Sequence, residues 1–438
     1  MRKMYQKWIQ KGLDKGFEAL EIFVSESKSF KLTLDNNKVE SLVESDLVTV
    51  NIKGIYDNKS TEVYFEKIDD ETVDKMLVAL KQNTQTVDSK DPAIIFEGSS
   101  SYPDWEEKNF DFSVIPLEKK IQLLKDLEKN MSSSKLMKKI ETNSYKEVFS
   151  KKTLINSKGL HLEQENSYAY LYVSAIFQKD GDVQSFGKLK LVKDFQEFNP
   201  EKQAQEVVFA GEKKLNGATL KSKSYSTVFS NEMFADFLAS FSSIFTGQSA
   251  YRNLTQLKDK EKQVIASPQV NIIEDPFSDQ AFFKEKFDDE GVVCQPKNVI
   301  ENGVFQGFIH NLKTAKIFNT QPTGNGFDGG TGFSNCYLKP GQRSLDDMVS
   351  TIEEGVFIDD LVGMHVGIQT VSGVFSLQAS GFKIEKGKIT TPVKMIVVSG
   401  NFFDILKNLK EIANDFEFQV SGFGSASVYV GDLMIGGN

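Results

Sequence analysis

Cysteine is nearly absent from this 438-residue chain. Only Cys294 and Cys336 occur, with no C-x-x-C, which excludes a disulfide framework and suits a reducing compartment. Histidine is as scarce: His161, His310 and His365 are far apart in sequence, so the H-E-x-x-H spacing that puts two zinc ligands on one helix face is missing. G-x-S-x-G, the strand-to-helix elbow of many serine hydrolases, does not occur either. No run approaches the roughly 18 apolar residues of a membrane span. Arg2, Lys3, Lys7, Lys11 and Asp14 break up the first residues, leaving no apolar core for a signal peptide, so the expected location is cytoplasmic. Internal repeats and low-complexity tracts are absent. Positive charge is also short: the net charge is -9, which argues against nucleic acid, whose binding needs Lys and Arg clustered on one face. The Lys-rich residues 119–152 alternate with Glu and Asp and read as a solvated face.

What is abundant is apolar and aromatic. The chain is 39% hydrophobic with 35 Phe and 26% charged residues, an ordinary globular balance, and it exceeds the length at which one core usually stops growing. The expected class is therefore α+β in several parts: an N-terminal α+β domain at 1–90, a central α+β subdomain at 110–220, and a β-rich domain with a few helices at 221–438. Helical spacing places Met4, Trp8, Ile9, Leu13 and Phe17 on one stripe, and Val73, Met76, Leu77 and Leu80 on another. Between them, short alternating runs (31–34, 39–43, 48–52) separated by Asp35-Asn36-Asn37 and Asp57-Asn58 predict antiparallel strands with tight turns. Residues 84–113, broken by Pro92 and Pro103, read as a linker, and Pro116 opens the next helix. Strands are expected at 147–156 and 168–177. Asn199 as cap and Pro200 at N1 predict a helix carrying Ala204, Val207, Val208 and Leu215.

After a strand at 225–229, Asn231 is expected to cap a strongly apolar helix with Phe234, Phe237, Leu238, Phe241, Ile244 and Phe245 on one side. Beyond residue 270 the pattern is strand and turn, including 369–384 and 389–398 around Glu385-Lys386-Gly387-Lys388. Two helices interrupt it. One opens at Ser344 and ends at Gly355; the other opens at Asn401 and carries Leu406, Leu409 and Ile412.

Chemistry-bearing candidates are few. Both cysteines read as buried small hydrophobes. Gly324-Asn325-Gly326-Phe327-Asp328-Gly329 matches G-x-G-x-x-G in form, but Gly330-Thr331-Gly332 prolongs the loop and no helix follows to receive a pyrophosphate. The segment reads instead as either a turn system or an open backbone surface for an extended peptide, with Gly324, Asn325, Gly326, Gly329, Gly330 and Asn335 as candidate contacts. The acidic groups Asp288-Asp289-Glu290, Asp346-Asp347 and Asp359-Asp360 are expected as solvated turns and helix starts.

Four runs carry a resemblance: 301–304 (ENGV), 322–326 (PTGNG), 372–376 with Gly381-Phe382, and 387–394 (GKITTPVK). In order and spacing they are similar to the TldD/PmbA family, and residues 20–80 look like its first domain. The resemblance implies paired subunits forming a cytosolic metallopeptidase on unfolded peptides, active in peptide maturation and labelled in older usage a modulator of DNA gyrase. It also implies two subunit types, of which the TldD type holds zinc through H-E-x-x-x-H and a later Cys, and the PmbA (TldE) type has lost them. Here Asp236, Phe237 and Phe241 stand where the helix ligands would fall and Ser421 where the Cys would fall. The implied reading is a PmbA/TldE-like subunit with no catalytic residue, metal ligand or cofactor of its own, zinc being expected only in a TldD-like partner. Its expected partners are that subunit and unfolded peptides, with a homodimer when alone, and neither membrane nor nucleic acid. Two alternatives stand beside it: a homodimeric peptide-binding or gyrase-modulating adaptor, and a stand-alone peptidase assembling His310, His365 and acidic groups into a non-standard metal site.

Overall fold

A computed structural model describes residues 2–66, 69–88 and 91–438. The chain divides into two compact units, Met1–Gly98 with Pro103–Asn216, and Ser99–Tyr102 with Gly217–Asn438.

The first unit runs α1 (Arg2–Asp14), β1 (Ala19–Asp35), β2 (Lys38–Tyr56), β3 (Lys59–Phe65), α2 (Asp70–Thr86), α3 (Leu117–Met131), β4 (Met137–Asn156), β5 (His161–Lys179), β6 (Asp182–Val192) and α4 (Pro200–Lys213). Its strands form one antiparallel sheet in the order β3-β2-β1-β4-β5-β6, so residues 1–90 and 110–220 contribute to the same sheet. The short runs expected over 31–52 are parts of two long strands. Only one turn interrupts them, where Asn36 and Asn37 take φ of 50° and 61°, the left-handed pair that a two-residue hairpin needs. Asp57 and Asn58 do the same at 52° and 56°.

Helix starts follow their capping residues. Asp69 accepts from Thr72 N–H at 2.7 Å ahead of α2, and Asn199 accepts from Lys202 N–H at 2.9 Å ahead of α4, each satisfying a donor the first turn leaves open. The apolar stripes of α1 and α2 pack with Leu20, Ile22, Val24, Val50 and Ile52. Those of α3 and α4 pack with Tyr145, Leu171, Val173 and Phe177.

The second unit continues with β7 (Lys223–Phe229), α5 (Asn231–Phe241), α6 (Gly247–Tyr251), β8 (Ile272–Glu274), β9 (Lys297–Glu301), β10 (Val304–Phe305), α7 (Leu312–Ile317), β11 (Cys336–Leu338) and α8 (Leu345–Val349). Then come β12 (Glu354–Val362), α9 (Met364–Gly367), β13 (Val374–Glu385), β14 (Lys388–Asn401), α10 (Phe402–Asn408), β15 (Glu411–Ile412), β16 (Glu417–Phe418), β17 (Phe423–Ser425) and β18 (Val428–Gly436). One sheet has the order β10-β9-β8-β11-β17-β16; the other runs β14-β13-β12-β7-β18-β15, and β14 also pairs with β18. That extra pairing, Val398 opposite Ile435, closes five strands on themselves and removes two open edges. The α+β class with a β-rich C-terminal part thus holds.

Three local expectations are corrected. Ser230, not Asn231, caps α5, accepting from Met233 N–H at 3.2 Å. The helix after Ser344 stops at Val349 and a strand begins at Glu354, because the residues from Glu354 onward pair with β13 and β7 instead of extending the helix. α10 ends at Asn408, which leaves Ile412 in strand β15.

Candidate functional site

The glycine-rich stretch 324–335 lies in the second unit and carries no helix. It is fastened from beneath by a buried carboxylate. Glu274, at the end of β8 and 1% exposed, receives Lys297 Nζ at 2.9 Å and the Asn325 side-chain nitrogen at 2.8 and 2.9 Å on its two oxygens. Ser334 N–H adds a third donor at 3.1 Å. A buried carboxylate is tolerable only with such partners. Asn325 also donates to Gly332 O at 2.8 Å and accepts from the Thr323 hydroxyl at 2.7 Å, so its hydrogen bonds run along the loop itself. Asn335 is buried too, donating to Phe283 O at 2.7 Å.

A second acid supports the same loop. Asp288 was expected to be solvated; the structure instead buries it completely. Its oxygens accept from the backbone N–H of Gly326 at 2.8 Å, Val292 at 2.9 Å and Glu290 at 3.0 Å. Burial, then the Glu290 carboxylate, push its pKa up to about 8, and the three amide donors offset this only in part. Glu290 in turn accepts from Leu312 N–H at 2.7 Å.

These contacts sort the six candidate peptide-binding residues. A Cβ on Gly324 would sit 2.4 Å from Val293 O, and one on Gly326 would sit 2.5 Å from the Glu290 carboxylate, so both glycines permit close packing. Asn325 and Asn335 point inward. Gly329 has open space around it, and Gly330 meets only Gln248 and Phe327 O at 3.7 Å. Gly330 and Thr331 form one wall of a cleft of about 330 Å³ whose other walls include Ser243, Thr246, Arg252 and Thr370.

On α5, Phe237 and Phe241 are fully buried. Phe241 stacks on Phe402 with centroids 4.4 Å apart, and Phe237 meets Phe375 edge-on at 4.8 Å. Asp236 is half-buried, and burial raises its pKa; its backbone carbonyl accepts from the Ser240 hydroxyl at 2.8 Å. Helix α5 packs against β16 and β17, the strand that follows Ser421, and Ser421 itself is exposed. Phenyl rings offer no lone pair to zinc, so Phe237 and Phe241 cannot serve as zinc ligands.

The histidines do not replace them. His310 is buried with Nδ1 3.1 Å from the Thr314 hydroxyl, and burial lowers its pKa. His365 is exposed on α9, and His161 is in the first unit. Among the described residues, no three His, Cys, Asp or Glu side chains gather in a metal-binding group. Both cysteines are buried and neither is in a disulfide, the Cys294 thiol donating to Gly324 O at 3.3 Å, and burial raises the Cys336 thiol well above its ordinary range. The cleft beside Gly330 was not anticipated: its residues come from three separated segments, 243–254, 330–331 and 370–371, of which only the second lies in a stretch the sequence marks out.

Two family models match: the PmbA/TldA metallopeptidase central domain over residues 110–214 and its C-terminal domain over residues 222–437. The chain belongs to the PmbA/TldD family. It is 26% identical to a metalloprotease of Methanocaldococcus jannaschii, over 97% of this chain and 96% of that protein. It is 28% identical to the metalloprotease PmbA homolog of Haemophilus influenzae, over 51% of this chain and 49% of that one. Among solved structures, a candidate modulator of a DNA gyrase from Thermotoga maritima superposes with a TM-score of 0.91 at 27% identity, covering 99% of both chains. TldE of Thermococcus kodakarensis superposes at 0.89 with 22% identity, over 99% of this chain and all of that one, a likeness of fold. No helix among the described residues is long and apolar enough to cross a membrane.

Proposed function

We propose that this chain is a PmbA/TldE-like subunit that pairs in the cytosol with a TldD-like metallopeptidase chain, helps enclose unfolded peptides, and leaves hydrolysis to zinc held by that partner. Alone, it forms a homodimer. One observation carries this reading: on α5, where the family resemblance implies metal donors, Phe237 and Phe241 are built into an aromatic cluster with Phe375 and Phe402. Metal-assisted hydrolysis needs an open coordination position and a water-activating base, and the rings of Phe237 and Phe241 can supply neither. The loop 324–335 then serves as a wall for substrate.

The test is zinc content and peptidase activity of the chain purified without chelators, alone and mixed with a TldD-like subunit. The expected result is far less than one zinc per chain and no cleavage alone, with both appearing in the mixture. Stoichiometric zinc together with chelator-sensitive cleavage by the lone chain would overturn the reading.

A further inference from the structure

Arginine occurs three times in the sequence, as Arg2, Arg252 and Arg343. Arg343 is engaged, with Nη1 3.0 and 3.1 Å from the two Glu411 oxygens. Arg252, at the C-terminal end of α6, lines the cleft beside Gly330, and its guanidinium has no hydrogen-bond or ion-pair partner among the described residues. Within the same lining, the Thr331 hydroxyl is buried yet unpartnered. An exposed residue with an unengaged guanidinium and a residue with a buried, unpartnered hydroxyl thus line one cavity.

The rest of the lining carries no charge. Ser243, Gln248 and Thr370 add neutral polar groups, and among the described residues no Asp or Glu belongs to it, in a chain with 61 acidic residues. Leu254 and Val371 complete the wall and are partly exposed, at 47% and 41%, giving an apolar ledge next to the cation. Guanidinium recognises carboxylate by paired, charge-assisted hydrogen bonds, and neutral hydroxyls add donors without repelling an anion. We infer that this cleft binds a carboxylate next to an apolar residue, as found at the C-terminus of an unfolded peptide. The inference rests on the peptide-binding reading and deepens it: the glycine-rich wall admits the backbone while Arg252 fixes its end.

The experiment compares labelled forms of one unstructured peptide by fluorescence anisotropy on the full chain: one with a free C-terminal carboxylate after Leu, the same peptide amidated, and the amidated peptide with a Glu placed before the Leu. The expected result is that the free acid binds about tenfold more tightly than the amide, with the Glu amide resembling the plain amide. Arg252→Gln and Thr331→Val should each shrink that preference without weakening the amide, and raised salt should shrink it as well. If the Glu amide matches the free acid, the carboxylate comes from a side chain and the C-terminal assignment is overturned. Equal binding of acid and amide, or a preference that survives Arg252→Gln, overturns the site while leaving peptide binding intact. Binding by none of the peptides overturns the site and the peptide reading together, whereas the zinc measurement judges the subunit role separately.

Discussion

The side-chain nitrogen of Asn325 donates to both carboxylate oxygens of Glu274, at 2.8 and 2.9 Å, and so ties the middle of the glycine-rich loop to the end of β8. Replacing Asn325 with Leu keeps a branched side chain there but strips the bridging amide donor from a buried anion. The expected cost is about 2–3 kcal/mol, read as a lower urea midpoint for the second unit. A loss below about 0.5 kcal/mol would show that Lys297 and Ser334 alone satisfy Glu274.

Gly324 and Gly329 form a controlled pair. Both have left-handed backbones, with φ of 72° and 69°, so an alanine at either meets the same conformational penalty of about 1 kcal/mol. Only Gly324 lies against backbone, its Cβ position 2.4 Å from Val293 O, while Gly329 has nothing within 4 Å. Gly324→Ala is therefore expected to be destabilising by at least about 2 kcal/mol more than Gly329→Ala, as measured by chemical denaturation of the two variants side by side. Equal losses would mean that close approach at Gly324 is not what its glycine serves.

Asp288 gives a pH dependence with a definite sign. Its pKa in the folded protein, raised to about 8, lies above the ordinary carboxyl value, so the folded state holds a proton that the unfolded state releases. The contribution is fully present below about pH 4 and declines as pH rises to about 8, at up to about 1.4 kcal/mol per pH unit. Thermal unfolding from pH 5 to pH 8 should show Asp288→Asn losing less stability than the parent across that window. The variant also weakens the Gly326 contact, so the slope and not the absolute stability is the readout.

The α5 face yields a contrast between packing and exposure. Phe241→Ala removes a ring stacked at 4.4 Å on Phe402 and is expected to cost about 3–5 kcal/mol. Ser421→Ala changes an exposed side chain and is expected to stay within about 0.5 kcal/mol. Denaturant midpoints of the two variants check this; a mild Phe241 effect would mean that the helix face is not part of the core.

Local chemistry was the legible part of the sequence. Asn36-Asn37 and Asp57-Asn58 announced their turns because few side chains tolerate positive φ, and Asn199-Pro200 announced α4 because capping is a matter of neighbouring residues. The apolar face of α5 was plain from the spacing of its phenylalanines. What stayed hidden depends on partners distant in sequence. β1 pairs with β4, Ile22 facing Ile155, and nothing local in either strand names the other. Asp288 looks like any acid in a turn, because its burial is imposed by Gly326 and Val292. The loop glycines were visible as a group, but only their surroundings separate Gly324, hemmed in by backbone, from Gly329, which is open. Arg252 had no motif at all, and the cleft it shares with Thr331 exists only once their segments meet.

Strand β7 sits in its sheet between β12, which runs parallel to it, and β18, which runs antiparallel. The Ser226 hydroxyl meets that of Tyr429, 203 residues further along the chain, at 3.0 Å. On the ribosome, therefore, β7 emerges with both of its edges open and must wait through the synthesis of roughly 200 residues before β18 covers the second one. A strand kept waiting in this way invites pairing with other chains, so shortening the protein within β18 is expected to expose β7 and promote aggregation during biosynthesis well before it disturbs the loop, the cleft or the aromatic cluster of α5.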